Sequence, residues 1–229
     1  MGLLGLKRPN NARAHGNLGL VLAQLGQEHE AIDQYEQALG IKLNYAESHY
    51  NLGLALARLG RTQEAMEHWE QALRTKPDDV DAHYNLGVAL HEQGKTQKAV
   101  EQLDLAVRIR PDYAEAQYNL GTALVQLGRI QEAIGHYEQA LRAKPEYAEA
   151  HNNLGAALMG QHKLQEAIVH CEHAVRLNPD YARAHYNLGA GLERLGRVQE
   201  AIQHYQQALR IQPDFVQAQN ALARLHVIE

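Results

Sequence analysis

Proline recurs at a fixed interval in this chain of 229 residues. From the third of the six prolines onward, each follows the previous one by 34 residues. The full set is Pro9, Pro77, Pro111, Pro145, Pro179 and Pro213. The first gap is twice as long, and Leu43 stands in the place of the missing proline. A period of this length, held along most of a chain, predicts an array of one repeated structural unit.

Two glycine series keep the same interval. The first series follows an Asn-Leu pair in every unit and comprises Gly19, Gly53, Gly87, Gly121, Gly155 and Gly189. The second comprises Gly26, Gly60, Gly94, Gly128 and Gly196, with His162 in the remaining place. Small residues at repeated positions allow two helices to approach closely, so the glycines indicate tight packing within each unit.

The unit Ala114–Tyr147 shows what each repeat contains. Apolar residues with the three-and-four spacing of a helix face predict one helix over about 114–126 and a second over about 131–143. Gly128 ends the first helix, and Lys144-Pro145 stops the second. A single hairpin cannot bury both of its faces and must stack on its neighbours. The sequence therefore predicts an all-α chain with thirteen main helices, two per unit and one at the end.

The start of each unit carries a second signal. Asp112 and Asp214 stand three residues before Glu115 and Gln217, respectively. This spacing is that of a capping box, in which the acceptor side chain caps the helix. The sequence predicts that these two aspartates cap the first helices of their units.

The repeated motifs resemble those of a known family. Asn-Leu-Gly in the first helix, Glu-Ala-Ile and Ala-Leu in the second, and the closing proline resemble the tetratricopeptide repeat. The resemblance implies a right-handed superhelical α-solenoid of stacked antiparallel helix pairs. It also implies that the first helices line a concave groove, which in this family usually holds a peptide or protein segment.

The period divides the chain into three parts. Residues 1–11 are predicted to be the remnant of a preceding repeat or an N-terminal stub, and residues 216–229 a C-terminal capping helix. Between them are six predicted repeats, at 12–45, 46–79, 80–113, 114–147, 148–181 and 182–215. This division leaves no separate catalytic domain, and no set of nucleophile, base and orienting group stands out from the repeat. The chain is therefore predicted not to be an enzyme.

The most regular polar element on the free face of the first helices is an asparagine series. It comprises Asn17, Asn51, Asn85, Asn119, Asn153 and Asn187. Each amide offers one acceptor and two donors, which can hold a peptide backbone whatever its sequence. A ladder of this kind is similar to the one in the repeat region of O-linked N-acetylglucosamine transferase. The alternative is that the asparagines satisfy local backbone groups or are tolerated on a solvated face.

Tyrosine usually precedes the asparagine. The series is Tyr50, Tyr84, Tyr118 and Tyr186, with Gly16 and Asn152 as exceptions. These rings either pack against a ligand side chain or pack against the neighbouring first helix. The residues three positions after each asparagine become smaller along the chain, namely Leu20, Leu54, Val88, Thr122, Ala156 and Ala190. This change predicts that the last three units accept a bulky ligand side chain.

Charges at the predicted groove are mixed in sign. The residues at its rim are Arg13, Glu47, Asp81, Glu115, Glu149 and Arg183. A strongly acidic or basic ligand is therefore not indicated. The two arginines are five units apart, so they cannot form the carboxylate clamp that family members use to bind heat-shock chaperones.

Histidines raise the question of a metal site. They recur two residues before the asparagine at His15, His49, His83, His151 and His185. Equivalent residues on stacked helices lie about 8–10 Å apart, whereas two ligands of one zinc ion must each approach it to about 2 Å. The histidines are therefore predicted to pack at helix interfaces or in exposed polar positions. Cys171 stands where most other units have an aromatic residue and is predicted to be buried, away from the nearby histidines. No metal site is therefore expected, and no cofactor is predicted.

Composition narrows the class of function. A formal net charge of −5 argues against a nucleic-acid binder. No apolar run approaches the ~20 residues of a membrane span, and a single cysteine excludes an internal disulfide, so a cytoplasmic location is expected.

The predicted function is a non-catalytic scaffold for protein–protein interaction, with an extended peptide or partner segment in the groove. Two alternatives stay open. One is a regulatory or substrate-recruiting region of a larger enzyme such as a glycosyltransferase. The other is a structural scaffold that self-assembles into a homo-oligomer through its end units.

Overall fold

A computed structural model describes residues 11–226 of the chain. Most of the predicted N-terminal stub and residues 227–229 lie outside the described residues. The described part contains thirteen helices and no strand, which confirms the predicted all-α class. They are α1 (Ala12–Gln24), α2 (Glu28–Ile41), α3 (Ala46–Arg58), α4 (Thr62–Thr75), α5 (Val80–Glu92), α6 (Thr96–Ile109), α7 (Ala114–Gln126), α8 (Ile130–Ala143), α9 (Ala148–Gly160), α10 (Leu164–Leu177), α11 (Ala182–Arg194), α12 (Val198–Ile211) and α13 (Val216–His226).

The turn inside each hairpin depends on a left-handed residue. Gly128 has a φ of 73°, and the following Arg129 N–H donates to the carbonyl oxygen of Leu124 at 2.9 Å. This conformation places the N–H groups after α7 over its last carbonyls, and glycine adopts it without a steric penalty. His162 takes the same role after α9 with a φ of 62°, although an L side chain disfavours this region.

The predicted aspartate caps of α7 and α13 are wrong by one residue. Tyr113 occupies the cap position of α7 and makes no side-chain cap hydrogen bond. Its N–H instead donates to the carbonyl oxygen of Arg110, so Asp112 lies inside the turn that precedes the helix. α13 likewise begins at Val216, two residues after Asp214. The aspartate that does cap a helix is Asp79, which accepts a hydrogen bond from the Ala82 N–H at 3.2 Å.

The glycine of each Asn-Leu-Gly motif marks the closest approach within a hairpin. A Cβ atom added to Gly121 would lie 2.7 Å from the ring of Tyr137, so only glycine lets α7 and α8 pack this closely. Leucine replaces the aromatic ring at Leu103, and cysteine replaces it at Cys171. Cys171 is 1% exposed, which confirms the predicted core position, and burial raises the pKa of its thiol to about 12.

The helices form two compact units. The N-terminal unit contains the described residues up to Ile109, and the C-terminal unit runs from Arg110 to the end of α13. In each unit, α-helices adjacent in sequence pack against one another, and the first helices of successive hairpins also touch, as α7 and α9 do. Of the helices that the structure describes, none combines the length and apolar character needed to cross a membrane.

Candidate functional site

The asparagine and tyrosine series are hydrogen-bonded to each other. The Nδ2 of Asn85 donates to the hydroxyl of Tyr50 at 3.2 Å, and the Nδ2 of Asn153 donates to the hydroxyl of Tyr118 at the same distance. In both cases the partners are 35 residues apart and belong to successive first helices. The amides therefore link neighbouring repeats and keep part of their hydrogen-bonding capacity for other partners.

The fifth repeat interrupts the tyrosine series and extends the polar network. Asn152 is 1% exposed, and its Nδ2 lies 3.0 Å from the Oδ1 of Asn153 and 3.4 Å from the hydroxyl of Tyr181. Its Oδ1 accepts a hydrogen bond from the Nδ2 of Asn187 at 2.8 Å. Together with the bond from Asn153 to Tyr118, these contacts connect α11, α9 and α7 through side chains. We call the surface of these three helices that carries the network the asparagine face of the C-terminal unit.

The predicted site residues differ in exposure. Asn17 is exposed. The other members of the two series are half-buried, namely Asn51, Asn85, Asn119, Asn153, Asn187, Tyr50, Tyr84, Tyr118 and Tyr186. A half-buried amide has protein contacts on one side and solvent on the other, which is the placement that a ligand-contacting residue needs.

The tyrosine rings of the C-terminal unit pack against other aromatic rings. The centroid of the Tyr118 ring lies 4.9 Å from that of Tyr147, and the Tyr186 centroid lies 5.2 Å from that of Phe215. Both pairs are tilted, an arrangement that aromatic quadrupoles favour. The Tyr118 hydroxyl accepts a hydrogen bond from Asn153, and burial raises its pKa.

Two clefts adjoin the network. The larger has a volume of about 370 Å³, and its lining comprises Thr122, Val125, Gln126, Ile130, Tyr137, Asn153, Ala156, Ala157, Gly160, Gln161 and Arg183. The smaller has a volume of about 320 Å³, and its lining comprises Asn152, Asn153, Ala156, Arg183, Tyr186, Asn187, Phe215 and Gln217. Asn153, Ala156 and Arg183 belong to both, so the two clefts meet on the asparagine face.

Small residues help to open the larger cleft. Thr122 and Ala156 are two of the three small residues in the series that shrinks along the chain, and both line the cleft. Ala156 is exposed, whereas Ala190, the third, is half-buried and lies outside the lining of both clefts. A side chain the size of leucine at position 156 would project into this space.

The charges near the clefts are few and of both signs. Arg183 lines both clefts, is exposed, and makes no ion pair or hydrogen bond with any residue of the described range 11–226. Glu115 is paired with Lys144 at 2.9 Å, and this pairing lowers the pKa of its carboxyl group. Glu149 is exposed. The clefts therefore combine an apolar wall, amide groups and one cationic side chain.

The structure gives the histidines partners that the sequence analysis did not identify. His49, His151 and His185 each face a histidine 19 residues later, on the second helix of the same hairpin. Equivalent residues in successive repeats do not meet, whereas these partners lie within one repeat. A constant offset of 19 between polar residues was the signal that would have found them. In the described residues, no three His, Cys, Asp or Glu side chains come together as metal ligands.

The repeat of this chain matches that of a known protein family. Models of the tetratricopeptide repeat match residues 50–114, residues 146–214, and the two segments 22–60 and 121–162. Together these matches span most of the chain. No curated protein matches it.

Solved structures share the fold over most of the chain. YrrB, described as a TPR protein with an unusual peptide-binding site, is 23% identical with a TM-score of 0.74, and the match covers 82% of this chain and 97% of YrrB. PilF of Pseudomonas aeruginosa is 20% identical with a TM-score of 0.79, over 93% of this chain and 97% of PilF. MamA of Desulfovibrio magneticus RS-1 is 26% identical with a TM-score of 0.68, over 74% of this chain and 96% of MamA.

Proposed function

Because the chain belongs to the tetratricopeptide-repeat family, we propose that it is a non-catalytic binding module that holds an extended segment of a partner protein on the asparagine face of the C-terminal unit. The observation that carries this proposal is the position of the hydrogen-bonded asparagines at the junction of the two clefts. The amides supply backbone contacts, and the clefts supply room for a side chain.

The remaining capacity of the amides suits a peptide backbone. Asn187 uses one N–H on Asn152, and its Oδ1 and second N–H make no hydrogen bond within the described residues. Asn153 donates to Tyr118 through Nδ2 and accepts from Asn152 through Oδ1, so Asn187 has the larger remaining capacity. A peptide group likewise presents one donor and one acceptor, so it can pair with an amide side chain at both atoms.

The spacing of the helices sets the length of the ligand. Neighbouring packed helices lie about 8–10 Å apart, and an extended chain rises about 3.3 Å per residue. One asparagine therefore meets roughly every third ligand residue. A segment of roughly eight to ten residues would span α7, α9 and α11.

The larger cleft determines which side chain the ligand inserts. Its volume of about 370 Å³ falls at the lower end of the range of small-molecule pockets, roughly 300–1,000 Å³. Its wall includes Val125, Ile130 and Ala156, so burial of apolar ligand surface stabilises the complex. We expect a bulky apolar side chain of the partner segment to occupy it.

A peptide selection tests the proposal. The full chain would be screened against a library of random twelve-residue peptides, and the recovered peptides would be titrated into the wild type and the Ala156→Leu variant. We expect recovered sequences to share a bulky apolar residue and to bind the variant at least about tenfold more weakly. The matched control is Leu20→Ala, at the equivalent, exposed position of α1, which should leave the affinity unchanged. Failure to recover any peptide, or equal affinity for the Ala156→Leu variant, would contradict the proposal.

A further inference from the structure

Each hairpin joins its two helices through one polar pair with a sequence offset of 19. In three hairpins both members are histidines, with Nδ1 atoms 2.9 Å apart in His49–His68, 3.0 Å in His151–His170 and 3.1 Å in His185–His204. In the other three hairpins one member is glutamine, in the pairs His15–Gln34, His83–Gln102 and Gln117–His136. The chain thus contains two versions of the same contact.

Backbone carbonyls fix the protonation of the histidine pairs. The Nε2 of His151 lies 3.0 Å from the carbonyl oxygen of Pro145, which can only accept, so this nitrogen carries a hydrogen. In neutral His151 the Nδ1 is therefore an acceptor, and the Nδ1–H of His170 donates to it. His49 and His185 are held in the same way by the carbonyl oxygens of Leu43 and Pro179. In the neutral pair, both ring nitrogens of His151 and the Nδ1 of His170 therefore have a hydrogen-bond partner at the helix interface.

The two versions respond differently to acid. A protonated His83 can still donate to the Pro77 carbonyl through Nε2 and to the Oε1 of Gln102 through Nδ1. When both histidines of a His–His pair are protonated, two N–H groups face each other at about 3 Å and neither has an acceptor. A His–Gln pair therefore accommodates an imidazolium ion, and a doubly protonated His–His pair does not.

The direction of the pH effect follows from burial. Burial lowers the pKa of His49, His68, His151, His185 and His204, and lowers that of His170 to about 4. Unfolded histidine has its ordinary pKa near 6.5, so the unfolded state binds more protons below that pH. The stability contributed by these pairs is complete above about pH 6.5 and is lost as the pH falls toward the lowered values.

Surrounding charges single out the α9/α10 pair. His173 and Arg176 face His151 and oppose its protonation, and Glu166 is the acidic group near His170. The ring of His173 stacks on that of His151 with centroids 5.0 Å apart. The α9/α10 pair thus has two basic neighbours, His173 and Arg176, and one acidic neighbour, Glu166.

The other two His–His pairs have more acidic surroundings. Glu64, Glu67 and Arg61 face His68. Asp180 faces His185, and Glu200 faces His204. Because carboxylates favour the protonated ring, these pairs tolerate acid better than the α9/α10 pair does.

We propose that the His151–His170 pair makes the α9/α10 hairpin acid-labile, so that acidification from pH 7 to pH 5 loosens the helix that carries Asn153 and Ala156 and weakens ligand binding there. The consequence for binding rests on the function proposed above, whereas the loosening of the hairpin does not. Acid would thus release a partner from the asparagine face.

Native-state hydrogen exchange tests the loosening without a ligand. Protection factors of the full chain would be compared at pH 7 and pH 5. We expect those of α9 and α10 to fall at least about tenfold at pH 5, and those of α5 and α6, which contain the His83–Gln102 pair, to change much less. His170→Gln converts the pair into the His–Gln version and should abolish the fall. His29→Gln, at an exposed histidine of α2, is the matched control and should retain it.

A second variant covers the case in which His170→Gln does not fold. His151→Gln creates the arrangement of Gln117–His136, in which the amide Nε2 donates to the Pro111 carbonyl and Oε1 accepts from His136. It should also abolish the acid response. An equal loss of protection in all helices, or an unchanged response in both glutamine variants, would overturn the proposal.

Binding at two pH values tests the consequence. A peptide recovered from the random library should bind the wild type at least about tenfold more weakly at pH 5 than at pH 7, and bind His170→Gln equally at both. Equal binding by the wild type at both pH values would overturn the regulation. If no peptide is recovered, the proposed function fails, and the exchange measurement still decides whether the hairpin opens.

Discussion

The two compact units have cores of the same kind but differ on the surface of their first helices. In the N-terminal unit, the residues three positions after the asparagines are Leu20, Leu54 and Val88. Of these, Leu54 packs against the core. A recess of that unit beside Tyr50, about 480 Å³, is bordered by charged side chains including Lys42, Glu47, Lys76 and Asp79. In the C-terminal unit, Thr122 and Ala156 leave an apolar cleft. The repeat therefore fixes the core of every hairpin and leaves this surface free to vary.

The reason for this difference lies in what each position touches. A Cβ added at any of the Asn-Leu-Gly glycines would lie within 2.8 Å of the second helix, so the hairpin contact has almost no tolerance. Ala156 is exposed, and a larger side chain there would meet solvent or ligand first. Substitution of an Asn-Leu-Gly glycine therefore affects folding, whereas substitution at position 156 affects binding.

Core truncations should affect both units alike and give the largest changes. Leu52 and Leu154 occupy equivalent positions, and each is 1% exposed. Replacing either with alanine removes buried methyl groups and should reduce the free energy of unfolding by about 2–5 kcal/mol. Urea denaturation monitored by helical circular dichroism measures the loss. A loss of less than about 0.5 kcal/mol at one of the two positions would show that the cores are not equivalent.

Asparagine replacements should separate the hydrogen-bonded members of the series, found in both units, from a member without such a bond. Asn153 donates to Tyr118 and accepts from the buried Asn152, so Asn153→Ala removes one hydrogen bond from each of these two groups. We expect a loss of about 1–3 kcal/mol of stability, together with weaker peptide binding. Asn51 makes no hydrogen bond with any described residue, and Asn51→Ala should change stability by less than about 0.5 kcal/mol. Equal losses in the same denaturation assay would contradict the assigned network.

The smallest expected effect is at His162, the turn residue after α9 with a left-handed backbone conformation. Replacing His162 with glycine should stabilise the C-terminal unit, because an L residue in this conformation costs about 1–2 kcal/mol. The greater freedom of glycine in the unfolded chain offsets about 0.5–1 kcal/mol, which leaves a net gain of about 0.5–1 kcal/mol. The reverse change at an equivalent turn, Gly60→His, should destabilise the N-terminal unit by a similar amount. Thermal melting of the two variants measures both effects, and a His162→Gly variant that melts at a lower temperature would refute this reasoning.

Much of the fold could be predicted from the sequence because its signals are local and repeated. The observed α7 matches the predicted 114–126, and α8 begins at Ile130 rather than at the predicted 131. The buried position of Cys171 followed from its alignment with the aromatic residues of the other units. The capping aspartates were misplaced because a one-residue shift in the turn preserves the sequence pattern but changes which side chain reaches the helix.

The contacts of the candidate site were less predictable. Offsets of 35 between Asn153 and Tyr118, and of 19 between His151 and His170, depend on how neighbouring helices are rotated about their axes. Periodicity identifies which residues share a face, but it does not determine which of them meet. The division into two compact units likewise left no mark in the uniform spacing of the repeat.

The central claim is that the asparagine face of the C-terminal unit receives the ligand. Nuclear magnetic resonance of the alanine methyl groups, during titration with a peptide recovered from the random library, tests this most directly. The account predicts the largest shift changes at Ala156 and Ala157, which line the larger cleft, and negligible changes at Ala23 and Ala57 of the N-terminal unit. Largest changes at alanines of the N-terminal unit, or at Ala133 and Ala140 on α8, would contradict it.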